Sequence, residues 1–276
     1  MRFKILALVA TAATLSPAFA QDGATTNNWT GPYVGGQLGY GWQPGDGDET
    51  INFDTNRDGT FGDSVNTLAG ANAFSPGFCG GSAVTATPAG GCRKDKDGVE
   101  WDVHAGYDMQ FGSFVVGAVA EYGRSTLRDS VSAYSTTPAR YTMTRRLKDN
   151  AGLRLRGGYA LGNTLLYGTG GLAWGKIHNS FSTSNAANSF TGNGNDEVWG
   201  YKFGGGIEQL VAPNFSIGLQ YMRVSLKDND ARVAVGPGVA PPTNPFLLVN
   251  GTGTDFARSH SRFASQSVKA TASFRF

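Results

Sequence analysis

The sequence predicts an all-β chain folded as an eight-stranded antiparallel up-and-down transmembrane β-barrel with four long extracellular loops. Three observations carry that prediction. Segments of about ten residues alternate apolar and polar side chains at period two, which in a strand puts the two kinds on opposite faces. The polar face holds Lys, Arg, Asp and Glu while the other is apolar, which suits a wall between lipid and a wet interior. The connections run long, short, long, short, long, short, long, as in barrels with tight periplasmic turns and long outer loops. A soluble lipocalin-like barrel shares the strand count but inverts the facing.

The N-terminus supplies a compartment. Arg2 and Lys4 precede an apolar run from Ile5 to Leu15, and Ala18-Phe19-Ala20 is a small-x-small cleavage site. Residues 1–20 therefore read as a secretory signal peptide, and residues 21–276 as one barrel domain. No later run is long and apolar enough for a transmembrane helix. The formal net charge of +2 gives no sign of a nucleic-acid partner. The 40 glycines sit inside and beside the alternating segments, where strands use glycine at bends and close contacts.

The first strand spans Tyr33 to Trp42, with Val34, Leu38, Tyr40 and Trp42 on one face. Trp29 and Tyr33, at its start, read as aromatics at a membrane-water interface. A polar stretch from Gln43 to about Gly98 forms the first long loop. The second strand, Val99 to Phe111, alternates throughout: Trp101, Val103, Tyr107 and Met109 oppose Glu100, Asp102, His104 and Asp108. A tight turn leads to the third, Phe114 to Gly123. After polar residues 124–146, the fourth runs from Leu147 to Tyr159, with Leu153 and Leu155 opposite Lys148, Asn150, Arg154 and Arg156. The fifth, Leu165 to about Gly175, is too rich in glycine for its facing to be read. The sixth, Glu197 to about Glu208, faces Trp199, Tyr201, Phe203 and Ile207 outward. The seventh runs from Phe215 to about Leu226. A long polar stretch then precedes the last, Phe263 to Phe276, whose Lys269 and Arg275 oppose Val268, Phe274 and Phe276.

Closing these strands directs Glu100, Asp102, His104, Glu121, Arg154, Arg156, Lys202, Glu208, Gln220, Lys269 and Arg275 inward. Both signs are present, so the expectation is a paired polar core, because a barrel of eight strands is filled by its side chains. In the first loop, Asp54, Asn56, Asp58 and Thr60 match the opening of a calcium loop, with Gly59 at the sharp turn. Val65 stands where the closing Glu belongs, and Asp63 is an imperfect substitute. Calcium is the one candidate cofactor. Cys79 and Cys92 lie in the same loop and are expected to form a disulfide in an oxidising compartment. A bridge over about 14 residues restrains the unfolded chain by roughly 3 kcal/mol. No catalytic motif is present, and no enzyme activity is expected.

Asn28 to Trp42 (NWTGPYVGGQLGYGW) resembles the first strand of the small alphaproteobacterial outer-membrane β-barrel proteins, the RopB-like and immunogenic outer-membrane proteins of the OmpA-like barrel group. Leu165 to Gly175 resembles their fifth strand, and the terminal SFRF their closing strand. The resemblance implies an integral outer-membrane protein with a role in envelope integrity and surface display, and it implies that the barrel-assembly machinery reads Phe276. The first loop departs from the family pattern. Expected partners are outer-membrane lipid, lipopolysaccharide and host or phage ligands, and a monomer is expected. Two alternatives remain: a narrow porin-like pore for small solutes, and a surface ligand-binding or adhesin protein with a calcium-stabilised first loop.

Overall fold

The computed structural model describes residues 28–44, 48–192, 194–228 and 231–276. The expected signal peptide lies outside them. The described residues form sixteen strands: β1 (Gly31–Trp42), β2 (Ile51–Asp54), β3 (Gly77–Gly80), β4 (Ser82–Ala83), β5 (Cys92–Arg93), β6 (Gly98–Phe111), β7 (Phe114–Ser125), β8 (Arg128–Ser135), β9 (Ala139–Leu161), β10 (Thr164–Thr183), β11 (Ser189–Gly192), β12 (Asn195–Ala212), β13 (Phe215–Lys227), β14 (Arg232–Gly236), β15 (Thr254–Arg258) and β16 (Arg262–Arg275).

Eight of them close a ring in the order β1, β6, β7, β9, β10, β12, β13, β16, and β16 pairs back onto β1. Every pairing in the ring is antiparallel. The seam runs in register from Tyr33↔Arg275 to Trp42↔Gln266. Tight turns at Gly112-Ser113, Gly162-Asn163 and Pro213-Asn214 close one end. All long connections leave from the other.

Alternation decides the facing. On β6, Trp101, Val103, Tyr107 and Met109 are exposed while Glu100, Asp102, His104 and Asp108 are buried. Leu155 (72 % exposed), Trp199 (64 %) and Leu219 (53 %) continue the outer belt. Left in water, such a belt forfeits roughly 25 cal/mol for each Å² of apolar surface. Lipid removes that penalty, and ring closure pairs the strand backbones that lipid cannot solvate.

Glycine on the inner face makes room for its neighbours. A Cβ on Gly39 would lie 2.6 Å from the Lys269 side chain, and one on Gly152 would lie 2.9 Å from that of Lys202. These glycines let long charged side chains reach across a strand to partners beyond it.

The stretches expected to be long polar loops are in large part folded. β9 has 23 residues, roughly 75 Å of strand, where about ten suffice to cross a membrane. Its first half pairs with β8 and with the far half of β10, and β3 adds to β8. Above the ring, β11, β14, β15 and β2 form a second sheet. The two sheets enclose a core of Ile51, Phe53, Phe74, Val131, Tyr141, Met143, Val233, Phe246 and Phe256, among others. Phe53 stacks on Phe74 at 4.4 Å and meets Phe256 edge-on at 5.0 Å. The connections form one cap because each contributes a few apolar residues to a core that none could bury alone.

Two facings differ from expectation. Lys148 is exposed, not inward, because the β9–β10 register shifts there: Asp149 pairs with Lys176, Leu147 with Ile177, and Lys148 is unpaired. One extra residue in a bulged strand inverts the alternation beyond it. Trp29 and Tyr33 are 0 % and 2 % exposed, not at the lipid interface. Val34 faces out, so Tyr33 faces in, and Trp29 folds under the open end of the ring.

Candidate functional site

The interior of the ring is stratified along its axis. At the short-turn end lies an apolar layer of Trp29, Val115, Ala160, Leu165 and Leu210. Above it, Arg156 and Arg275 face Asp108 and Glu208. Arg156 lies 2.9 Å from Glu208 and 3.3 Å from Asp108; Arg275 lies 3.0 Å from each. Ser216 donates to Glu208 at 2.6 Å. The Arg275 guanidinium sits 4.6 Å from the ring centres of both Trp29 and Tyr33, and Arg156 sits 4.5 Å from that of Tyr167.

The next tier joins seven strands. Glu121 accepts from Arg154 at 2.7 Å and from Lys202. Lys269 lies 2.6 Å from Asp102 and 3.0 Å from Glu100. Gln220 donates to Gln37 at 3.2 Å, and Gln37 in turn bonds His104 at 3.2 Å. His104 reaches across Gly35 to Ser273 at 2.9 Å. Five carboxylates thus face five cations: Glu100, Asp102, Asp108, Glu121 and Glu208 against Arg154, Arg156, Lys202, Lys269 and Arg275. A buried charge is tolerated when paired in this way. The space left beside Tyr33, His104 and Gln220 is about 20 Å³, room for about one water.

A second apolar layer of Leu127, Leu147, Ala173, Ile177, Val198, Leu226 and Phe263 closes the cap end. Beyond it lies a second buried ion cluster at the base of the cap. Arg258 binds Glu49 through two bonds and Asp129 at 2.5 Å. Arg145 lies 2.5 Å from Asp129 and 3.7 Å from Asp228. Burial raises the Asp129 carboxyl, but Arg145 and Arg258 outweigh it and hold the group below its ordinary range. Burial pushes Asp228 upward, with Arg145 only a partial offset.

Glu100, Asp102, His104, Glu121, Arg154, Arg156, Lys202, Glu208, Lys269 and Arg275 lie on the inner face as the sequence assigns them, and so does Gln220, whereas Lys148 does not. Asp108, Gln37 and Tyr33 belong with them, and the parity of β6 and β1 carries the signal for all three. Nothing local in the sequence brings Glu49, Asp129, Arg145, Asp228 and Arg258 together.

In the first loop, Asp54 accepts from the N–H groups of Asp58 at 3.2 Å and Gly59 at 2.8 Å, and Asp58 accepts from Thr60 N–H at 2.7 Å. The Asn56 side chain donates to Asp58 at 2.9 Å and accepts from its N–H at 3.0 Å. Asp63 is engaged by the N–H and hydroxyl of Thr55. Val65, at the closing position of a calcium loop, is buried in the cap core. Among the described residues, no three Asp, Glu, His or Cys side chains gather as metal ligands. Cys79 and Cys92 form a disulfide with Cα atoms 6.4 Å apart, and it joins β3 to β5 outside β8. Phe276 is exposed at the short-turn end, and its N–H donates to Pro32 at 3.0 Å.

Residues 5–276 match the model of the outer membrane protein beta-barrel domain. The chain is 27 % identical to the 31 kDa outer-membrane immunogenic protein of Brucella melitensis over 207 residues, 73 % of this chain and 72 % of that one. It is 28 % identical to the 22 kDa outer membrane protein of Rhizobium leguminosarum bv. viciae over 153 residues, 55 % of this chain and 64 % of the relative. Among solved structures, the outer membrane protein OprG from Pseudomonas aeruginosa aligns over 90 % of this chain and 98 % of its own, with a TM-score of 0.46 and 10 % identity.

Proposed function

We propose, from the premise that this chain belongs to the outer membrane β-barrel family, that it is a sealed eight-stranded barrel holding a folded cap on the cell surface. It is an outer-membrane protein like its alphaproteobacterial relatives. The tight turns then face the periplasm, and the cap faces outward. Its role on this reading is structural and interactive: to knit the envelope and to display a rigid surface, without enzymatic chemistry. The observation that carries the reading is the stratified interior, in which two charge-neutral ionic tiers lie between apolar layers. A solute would have to break buried ion pairs and desolvate itself twice, and the space beside Tyr33, His104 and Gln220 among the described residues holds about one water. Purified protein in planar bilayers tests this. The expected result is insertion without stable conductance steps. Reproducible stepwise openings at moderate voltage would instead establish the narrow pore.

A further inference from the structure

We propose that a row of cations on the outer wall, just above the lipid-facing aromatics, binds the phosphates of an outer-leaflet glycolipid. The proposal rests on the outer-membrane placement of the barrel and names the lipid partner of its cap end. The row crosses neighbouring strands. Lys96 and Arg128 exchange backbone bonds of 3.1 and 3.2 Å, and Arg128 pairs with Arg146. Directly paired residues share a face, with Cβ atoms about 5 Å apart, and like charges in such pairs repel. The face is the outer one: Arg128 and Arg146 are exposed, while the next residues along and back, Asp129 and Arg145, are buried in the cap cluster. The bulge puts Lys148 on this surface as well.

Among the described residues, no carboxylate lies within ion-pair distance of Lys96, Arg128, Arg146 or Lys148, although the buried interior charges are ion-paired. Nearby acids are occupied. Asp97 accepts from the Tyr40 hydroxyl, Asp95 from Ser130 N–H, and Asp149 from Arg124 and Tyr122. The height is set by Tyr122 and Trp101, whose strand neighbours are Ala151 and Arg124. Across the bulge, Arg146 lies two ladder steps beyond Asp149 on β9, about 7 Å further along the strand. That is the level where headgroup phosphates meet a barrel wall. The disulfide-bridged strap of β3 to β5 ends just before Lys96 and pins it against β8. Repelling cations held in register, without an acidic partner, fit a multiply charged phosphate ligand that bridges them.

The mature chain, folded in detergent micelles, is titrated with bis-phosphorylated lipid A and with its dephosphorylated form, and bound lipid is counted by native mass spectrometry. The phosphorylated lipid is expected to bind at least tenfold tighter. In Arg128→Gln/Arg146→Gln that preference falls about tenfold, while thermal unfolding in lipid-free micelles is unchanged or moves upward as repulsion is relieved. If this variant does not fold, Lys96→Gln/Lys148→Gln carries the same expectation. Equal binding of the two lipids, an unchanged preference in the variant, or displacement of the lipid by millimolar inorganic phosphate would overturn the proposal. Loss of heat-modifiable migration by the wild-type chain would instead overturn the barrel reading beneath it.

Discussion

Lys269 shows how a single side chain holds the interior. It extends across Gly39 of β1 to Glu100 and Asp102 on β6, so one ammonium ties the closing strand to the second neighbour around the ring. Lys269→Met keeps most of the stem but leaves two carboxylates unpaired. The expected loss is about 3–5 kcal/mol, read as a lower urea midpoint in lipid vesicles. Parity gave Lys269 and Asp108 their facing in advance. It also held the answer for Tyr33, where the habit of placing terminal aromatics at the interface concealed it. At the base of the cap, Asp228 and Asp129 titrate in opposite senses. Asp228 is raised by burial, so the folded state gains stability as pH falls from neutrality toward the ordinary carboxylate range. Asp129 is held low, so stability is lost again as pH falls further, through its folded value. Asp228→Asn is therefore expected to raise the hydrogen-exchange protection of β8 and β15 at pH 7. It should also abolish the rise in protection that the wild type shows on mild acidification.

Among elements, β16 was the most legible and β9 the least. Every position of β16 obeys the alternation, from buried Ser265, Ser267 and Lys269 to exposed Val268 and Phe274. On β9, one bulge at Lys148 reverses the facing, and nothing in the local pattern announces an extra residue. The end of β16 is anchored twice, by Arg275 N–H to Asn214 at 2.8 Å and Phe276 N–H to Pro32 at 3.0 Å. The Phe276 ring packs edge-on against Phe274 at 5.1 Å but is otherwise exposed, so it contributes little to the closed barrel. Deleting Phe276 is therefore expected to lower the yield of inserted protein in cells, while the fraction that does insert keeps nearly the wild-type urea midpoint. A normal yield would assign the assembly signal elsewhere.

At the scale of the whole molecule, the ring was readable and the cap was not. The ring follows from local period-two patterns and from turn lengths, which a short window of sequence contains. The cap core draws on residues as far apart as Ile51 and Phe256. Phe53 and Phe256 pair in register between β2 and β15, yet each sits in a stretch whose Gly, Asn, Asp and Thr content reads as loop. The same holds for the ion cluster, where Glu49 and Arg258 meet across 209 residues. On the proposed reading, the cap also changes what the barrel presents. A ring with loose loops would offer flexible ligands, whereas this one offers a packed surface fixed to the wall.

The interleaving of the cap has a consequence for how the surface is seen from outside. β2, β14 and β15 lie side by side but come from the first and last connections, so any antibody footprint on that sheet is discontinuous in sequence. Short peptides copied from one connection present only a fragment of it. If the cap is displayed as proposed, antibody recognition of this face depends on conformation, and a serum raised against the denatured chain would see a different molecule.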